Sequence, residues 1–317
     1  MLQGGRRRRR ASALFLLLAA VALAATAAVA LVVLKSTGGG PEPAVAAKQA
    51  PPVLVHRRPA RPRPLLEMGP APRKKLRLGG RAAILVDAGT GTVLYAKRPH
   101  ARLPMASTTK IMTAVLALER LGPKSVVTIA PSVPRVAPFR EGLRAGEPVE
   151  AWKLFYGLLL YSGNDDALAL AIGAAGTRST FIALMNEKAR KLGMRDSHFT
   201  SPSGVIDRGN VSSAWDMAAL TRYAMWNPRF RAIVRTHRKR VPWPAPTYSK
   251  IYVNKNHFLG SYPGADGVKT GWTTVAQHCL VASAHRYGIR LIAVVLGSPD
   301  AYADARRLLD FGFRSRG

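Results

Sequence analysis

Ser107 and Lys110 are the first residues in the chain whose types and spacing suggest chemistry, in the segment Ser107-Thr108-Thr109-Lys110. A serine hydroxyl attacks carbonyl groups slowly unless a nearby base removes its proton. On a helix, side chains three residues apart share a face, so the lysine amine can reach the serine hydroxyl. To act as a base, this amine needs a pKa below its ordinary value of about 10.4, which requires burial or a neighbouring cation such as Lys269.

Two further motifs add specificity, because a Ser-x-x-Lys match by itself arises by chance roughly once in a few hundred residues. Ser162-Gly163-Asn164 offers a hydroxyl that can relay a proton and an amide that can hold a peptide carbonyl. Lys269-Thr270-Gly271 offers an ammonium and a hydroxyl that can grip a carboxylate. Its glycine also lets a substrate backbone approach closely. The three motifs together indicate nucleophilic chemistry on a carbonyl group.

The elements that must position these motifs can be predicted from hydrophobic periodicity. A β-hairpin is predicted over 83–96, with its turn at Ala88-Gly89-Thr90-Gly91. The nucleophile segment begins a helix over 107–121, and the second motif lies in a polar loop over 161–165. Other predicted helices cover 152–160, 167–172, 181–192, 214–226 and 301–311, and strands cover 266–273, 278–284 and 290–296.

This order of elements predicts an α+β domain over residues 79–317. Strands from both ends of the domain join one antiparallel sheet, and the helices between them form a helical subdomain that packs with it.

The order Ser-x-x-Lys, Ser-x-Asn and Lys-Thr-Gly resembles the signature of penicillin-binding proteins and serine β-lactamases. From about Arg81 to Phe313 the chain is similar to the D-alanyl-D-alanine carboxypeptidases, the low-molecular-mass penicillin-binding proteins. The resemblance extends to Leu103–Ala114, Ser162–Asp165, Met185-Asn186, Leu192-Gly193-Met194, His198-Phe199, Ser213–Asp216, Asn254-Lys255-Asn256 and Asp266–Thr273.

The resemblance implies a β-lactamase/transpeptidase-like fold and removal of the terminal D-alanine from peptidoglycan stem peptides that end in D-Ala-D-Ala. It gives Ser107 the role of nucleophile and Lys110 that of general base. Ser162 would then pass a proton to the leaving amine. β-Lactam antibiotics are expected as covalent inhibitors.

For substrate binding, the resemblance implies that Asn164 orients the substrate amide, while Lys269, Thr270 and Gly271 hold the terminal carboxylate and backbone. Backbone N–H groups of Ser107 and Trp272 would stabilise the oxyanion. No metal or other cofactor is required. The seven histidines form no recognised ligand pattern.

Three departures from the family pattern bear on local geometry. Gln277 stands where the family usually has glycine, and Asp166 stands where a small residue commonly follows the Asn-Asp pair. No arginine occurs within 298–304, although relatives often carry one near there that helps to hold the substrate carboxylate. Carboxylate recognition is therefore expected to rest on Lys269 and Thr270.

Alternative functions share the same scaffold. A D,D-endopeptidase or transpeptidase differs in which bond is cut and whether water or an amine takes the acyl group. A β-lactamase is a weaker alternative, since the second motif is Ser-Gly-Asn and no glutamate suited to activating water lies within 198–210. A non-catalytic wall-binding protein is the alternative from a different class.

The N-terminal part of the chain predicts export and a membrane tether. A basic N-terminus, residues 1–12, precedes an apolar segment over 13–34, which at about 1.5 Å per residue crosses a hydrocarbon layer of roughly 30 Å. The arginines stay in the cytoplasm, so the catalytic domain is expected on the extracytoplasmic side of the cell membrane. Cleavage of this segment as a signal peptide is the alternative.

Residues 35–78 are rich in Gly, Pro, Ala and Arg and predict an extended linker. The formal net charge of +31 suits either nucleic acid or an anionic wall, and export favours the wall over nucleic acid. Cys279 is the only cysteine, which excludes an internal disulfide, and its apolar alternating context predicts a buried strand residue without chemistry.

Overall fold

The computed structural model describes residues 66–70, 75–136, 138–205, 209–243 and 249–315. The predicted N-terminus (1–12), the predicted membrane segment (13–34) and all but the end of the predicted linker (35–78) lie outside the described residues. Its strands are β1 Glu67–Met68, β2 Ala82–Asp87, β3 Thr92–Lys97, β4 Val126–Thr128, β5 Pro148–Glu150, β6 Arg238–Val241, β7 Lys250–Val253, β8 Ala265–Thr273, β9 Gln277–Arg286 and β10 Ile289–Ser298.

The α-helices are α1 Lys110–Arg120, α2 Ala151–Tyr156, α3 Asn164–Ala175, α4 Arg178–Lys191, α5 Ala214–Ala224, α6 Pro228–Val234 and α7 Ala301–Arg314. Within the described ranges, no single helix is both long enough and apolar enough to cross a membrane. The helices α3 and α4 reach that composition only as a pair bent by 86°.

A six-stranded sheet with the order β1-β3-β2-β10-β9-β8 forms the centre of the domain. The N-terminal strand β2 pairs antiparallel with the C-terminal strand β10, with Ala82 opposite Leu296. Strand β9 pairs antiparallel with both β10 and β8. These pairings confirm the predicted α+β sheet built from the two ends of the domain.

Apolar strands occupy the middle of this sheet because helices cover both of its faces. Every residue of β2 is buried, and so is β10 from Leu291 onward. On one face α7 packs through Leu308 and Leu309 against β9 and β10. On the other face α5 contacts β2 and β10, and the remaining core side chains join it to the helical subdomain.

Helix α1 runs through the middle of the helical subdomain and is buried from Lys110 to Leu118. It contacts α3, α4 and α5, so apolar side chains on all of its sides are covered. The predicted helix over 107–121 is therefore confirmed, except that its first turn, Ala106–Thr109, is a 3-10 helix.

The polar loop predicted over 161–165 is much shorter in the structure. Helix α2 continues through a π-helical turn, Gly157–Tyr161, and α3 already begins at Asn164. The break is only two residues long because the N–H groups of Ser162 and Gly163 both donate to the Gly157 carbonyl, at 2.9 and 3.2 Å. Ser162 takes a left-handed conformation there, with φ of 73°.

Several short elements carry no clear hydrophobic period and were not predicted. The ribbons β4–β5 and β6–β7 each contain only two short strands. Strand β1 lies within the predicted linker, where Glu67 and Met68 pair in parallel with Thr92 and Val93 of β3. Backbone pairing at a sheet edge does not depend on side-chain pattern, so composition does not reveal it.

Asp304 connects the start of the domain to its last helix. Its buried carboxylate accepts hydrogen bonds from the N–H groups of Gly79 and Gly80, at 3.0 and 2.8 Å, and from the Ser298 hydroxyl at 2.7 Å. A single side chain therefore holds the chain that enters β2 against the chain that leaves β10.

We predict that Asp304→Ala lowers the free energy of unfolding by about 2–4 kcal/mol, because it leaves three donors without their acceptor. Chemical denaturation of the full-length chain in a mild detergent measures this loss. The control is Asp300→Asn, at the exposed N-cap of α7, where asparagine also caps and the change should stay near zero. Equal stability of the two variants would contradict the role given to Asp304.

Candidate active site

The three sequence motifs meet in one cleft at the edge of the sheet. The start of α1 brings Ser107, the break before α3 brings Ser162, and strand β8 brings Thr270, Gly271 and Trp272. Residues that are 55 to 165 positions apart in the chain thus line one cavity. Lys110, Asn164 and Lys269 lie behind this lining and are buried.

Lys110 is the hydrogen-bonding centre of the cleft. Its Nζ lies 2.9 Å from Ser107 Oγ, 2.8 Å from Asn164 Oδ1 and 3.2 Å from the Ser203 carbonyl oxygen. An ammonium group has three N–H donors, and these three acceptors use all of them. The predicted pairing of Ser107 with Lys110 is therefore present in the structure.

The electrostatic surroundings of Lys110 favour its neutral form. Burial lowers the pKa of Lys110 well below its ordinary value, and the positive charges of Lys269 and Lys255 lower it further. Asp166 and Asp165 act in the opposite direction. A neutral amine at 2.9 Å from a hydroxyl oxygen can accept that hydroxyl's proton.

Backbone geometry presents Ser107 to the cleft. Ala106, directly before it, has φ of 48°, a left-handed conformation that costs energy in a residue other than glycine. Thr108 Oγ1 donates to the Met105 carbonyl at 2.7 Å and closes the turn. Such strain persists only where the surrounding structure holds it, and here the turn packs directly against β8.

Gly271 is the point at which β8 approaches the nucleophile turn. A Cβ atom at this position would lie 3.0 Å from both the Met105 carbonyl oxygen and the Ser107 nitrogen. Any side chain would therefore push the strand away from the turn. The close neighbours of Gly271 belong to the protein's own backbone, and the approach of a substrate backbone to this glycine stays a prediction.

Lys269 is almost completely buried on β8, at 1% exposure, and its Nζ donates to the Thr270 carbonyl at 3.1 Å. Burial, followed by the charge of Lys255, lowers the pKa of Lys269 to about 7. Lys269 is also the largest cationic influence on Lys110, as the sequence suggested. The charge of Lys269 thus favours the neutral form of Lys110.

Asn164 is held at both ends by the protein. Its Oδ1 accepts from Lys110, and its Nδ2 donates to the Pro138 carbonyl at 2.6 Å. Its backbone N–H donates to the Phe139 carbonyl at 3.0 Å. Asn164 therefore links the general-base candidate to the loop over 138–143, whose Phe139 lines the cleft opposite β8.

Two residues of the site, Ser203 and Lys255, were not predicted from the sequence. Ser203 contacts Lys110 through its backbone carbonyl, which a side-chain motif cannot indicate. The one indication in the sequence is the next residue, Gly204, because its φ of 75° and its close contact with Ala106 require glycine. Lys255 lines the cleft, with Nζ 4.2 Å from the Tyr161 ring centroid. Its signal was the motif Asn254-Lys255-Asn256, whose two asparagines are buried.

The noted departures also have structural outcomes. Gln277 has φ of 56°, so the position where relatives usually have glycine keeps a left-handed backbone. In the segment 298–304, which has no arginine, Ala301 and Tyr302 line the cleft. The basic side chains that line the cleft belong to Lys255 and His278. Cys279 is a buried strand residue, as predicted, and burial raises the pKa of its thiol to about 11.

No cluster of His, Cys, Asp or Glu within the described part of the chain is arranged to hold a metal ion.

Comparison with known proteins agrees with this geometry. The family described as D-alanyl-D-alanine carboxypeptidase matches residues 70–300. The chain is 37% identical to the D-alanyl-D-alanine carboxypeptidase of Streptomyces sp. strain K15 over 259 residues, which cover 74% of this chain and 87% of the relative. It is 34% identical to the carboxypeptidase DacF of Bacillus subtilis, with 74% of this chain covering 62% of that relative's length.

Solved structures show the same similarity. The Streptomyces K15 DD-transpeptidase superposes with a TM-score of 0.71 at 34% identity, covering 76% of this chain and 99% of that one. The D-alanyl-D-alanine carboxypeptidase of Mycobacterium tuberculosis gives 0.72 at 32% identity, covering 77% and 96%. The predicted penicillin-binding protein fold is thereby confirmed, and the chain belongs to the D-alanyl-D-alanine carboxypeptidase family of serine peptidases.

Proposed function

We propose that this protein is a serine-type D-Ala-D-Ala carboxypeptidase that removes the terminal D-alanine from peptidoglycan stem peptides. One observation carries the proposal: Lys110 Nζ lies 2.9 Å from Ser107 Oγ in a buried site whose neighbours depress the lysine pKa. This arrangement activates a serine without a histidine. Family membership supports the choice of substrate.

In the first half of the reaction, neutral Lys110 takes the proton of Ser107 as Oγ attacks the carbonyl carbon of the penultimate D-alanine. A C–O bond forms, and the backbone N–H groups of Ser107 and Trp272 stabilise the oxyanion. Collapse of the intermediate breaks the C–N bond, and Ser162 relays the proton held by Lys110 to the leaving amine of D-alanine, which leaves Lys110 neutral. An acyl-enzyme on Ser107 remains.

In the second half, water attacks the ester carbonyl and releases the shortened peptide. Lys110 accepts a proton from that water and passes it to Ser107 Oγ as the C–O bond to Ser107 breaks, which restores the neutral lysine and the serine hydroxyl. β-Lactam antibiotics acylate Ser107 by the same attack and are covalent inhibitors.

Substrate binding uses the β8 side of the cleft. Lys269 in its charged form and the Thr270 hydroxyl bind the terminal carboxylate. Lys255, which lines the cleft beside Tyr161, adds a second positive charge where the segment 298–304 offers none. Asn164 holds the substrate amide.

Transfer of the acyl group to an amine is the second candidate function, favoured by the solved relative that is described as a DD-transpeptidase. It shares every step up to the acyl-enzyme. Adding an acceptor amine, such as glycylglycine, to the assay separates the two: hydrolysis releases the free acid, whereas transpeptidation releases a longer peptide.

We further propose that residues 13–34 tether the domain to the cell membrane, with the active site on the extracytoplasmic side. The apolar run and the arginines before it support this orientation. Substrates of the proposed reaction lie in the wall, which that side faces.

Ser107→Ala is predicted to abolish D-alanine release from a D-Ala-D-Ala muropeptide and to abolish covalent labelling by fluorescent penicillin. The loss should exceed about a thousandfold, because the variant lacks the atom that forms the acyl bond. Ser179→Ala, on the exposed surface of α4, is the matched control and should keep full activity. Label on the Ser107→Ala protein would place the nucleophile elsewhere.

The pH dependence of substrate binding should follow Lys269. Its ammonium form binds the carboxylate, so KM for a D-Ala-D-Ala peptide is expected to rise as the pH passes through about 7, approaching tenfold per pH unit above it. A peptide amide lacks that carboxylate and is the control substrate. If KM for the acid and for the amide change in parallel, Lys269 does not bind the carboxylate.

Membrane retention of the full-length protein is the expected outcome of cell fractionation. Deletion of residues 13–34, replaced by a cleavable signal peptide, should move the activity to the soluble extracytoplasmic fraction. Recovery of a soluble mature form from the unmodified gene, beginning after Ala27 or Ala30, would show cleavage instead of a tether.

A further inference from the structure

Two buried carboxyl groups beside the second motif take no part in the proposed reaction. Asp166 is completely buried, and the Glu141 side chain is only 2% exposed. Both oxygens of Asp166, and Oε2 of Glu141, receive no hydrogen bond from a donor among the described residues. Buried carboxylates without donors are costly, so this arrangement requires an explanation.

The two carboxyl groups converge on the same side of Gly157. A Cβ atom on Gly157 would occupy the space already taken by Glu141 Oε2 and by both oxygens of Asp166. Gly163 adjoins the same carboxyl group of Asp166. Two ionised carboxylates repel at such a short range, whereas one proton between them gives a donor to one and an acceptor to the other.

The charges around the pair fit a single shared proton. Lys250 on β7 donates to Glu141 Oε1 at 2.8 Å and lies 4.1 Å from the Trp243 ring centroid. One cation therefore matches a pair that carries one negative charge. The Tyr252 hydroxyl, also from β7, is near Glu141 and is itself buried without a hydrogen-bond partner among the described residues.

Asp165, the third acid nearby, is already satisfied by other donors. Its carboxylate accepts the backbone N–H groups of Glu141, Gly142 and Leu143 at 2.9 to 3.3 Å. It is therefore hydrogen-bonded independently of Glu141 Oε2 and of the Asp166 carboxyl group. Burial, followed by the charges of Glu141 and Asp165, raises the pKa of Asp166 well above its ordinary value. Burial also raises the pKa of Glu141, which Lys250 opposes.

The pair is connected to the catalytic lysine by two routes. The first route runs through hydrogen bonds. Glu141 belongs to the loop over 138–143, and the Pro138 and Phe139 carbonyls of this loop accept hydrogen bonds from Asn164. Asn164 in turn accepts a hydrogen bond from Lys110. The second route is electrostatic, because negative charge on Asp166 raises the pKa of Lys110. Loss of the shared proton would both loosen the loop and favour the inactive, charged form of Lys110.

We propose that Glu141 and Asp166 form a proton-sharing pair that positions the loop over 138–143 and limits the activity of Ser107 at alkaline pH. The proposal rests on the acylation chemistry of the proposed function. Asp166 stands where the family resemblance leads us to expect a small residue. Both members are positioning residues, because neither touches the reacting atoms.

The sign of the effect follows from proton linkage. A carboxyl whose pKa is higher in the folded than in the unfolded state adds stability at low pH, and this stability is lost as the pH rises through the folded-state value. Asp166→Asn keeps the shape and a donor for Glu141 but holds no titrating proton. The stability of the variant should therefore fall less at alkaline pH than the stability of the wild type.

The experiment measures the second-order rate constant for acylation by fluorescent penicillin, and the thermal midpoint, from about pH 6 to about pH 10. Full-length wild type is compared with Asp166→Asn and with the control Asp300→Asn. Relative to neutral pH, wild type and the control should lose about tenfold more acylation rate at the alkaline end than Asp166→Asn. Lys269 titrates in all three proteins, so its effect cancels in the comparison.

Identical pH profiles for wild type and Asp166→Asn, in rate and thermal midpoint, would overturn the proposal. Glu141→Gln removes the shared proton by changing the second member of the pair. If Asp166→Asn does not fold, the pH profile of Glu141→Gln is compared with that of the wild type instead. If wild type shows no acylation at any pH, the proposed function fails. In that case a flatter dependence of the thermal midpoint on pH in the variant would still support the shared proton.

Discussion

The amine of Lys110 is completely buried at the centre of the active site. A buried ammonium without partners would be costly, yet a fully ion-paired one would never act as a base. The protein resolves this with three neutral acceptors, Ser107 Oγ, Asn164 Oδ1 and the Ser203 carbonyl. They come from three separate segments, so the lysine can be satisfied only when the whole domain is assembled.

The two halves of the domain contribute differently to this centre. The sheet side is rigid: β8 packs against the nucleophile turn so closely that Gly271 has no room for a side chain. The helical side supplies the break between α2 and α3, where Ser162 adopts a left-handed backbone. Strain at Ala106 and at Ser162 points both serines toward the cleft, and the packed elements on each side hold that strain.

Charge is arranged in two layers around the cleft. Lys110, Lys269 and Lys255 form the inner layer. Burial lowers the pKa of all three lysines, and the charge of Lys255 lowers the pKa of Lys110 and Lys269 further. Behind them lie Asp165 and the pair formed by Glu141 and Asp166. The inner layer suits an anionic substrate and a neutral base, while the outer acids hold the loop that orients Asn164. The protonation of the outer layer thereby bears on the chemistry of the inner one.

The amino-acid sequence was enough to predict the three motifs, the sheet made from both ends of the domain, and the pairing of Ser107 with Lys110, because hydrophobic period and short spacing reflect local constraints. It did not reveal β1 or the short ribbons, whose pairing depends on backbone contacts at an edge. Only the tertiary structure brought the Ser203 carbonyl to Lys110 and placed Glu141 against Asp166. Those contacts join residues far apart in the chain through backbone atoms or buried oxygens, and no residue type or spacing encodes such proximity.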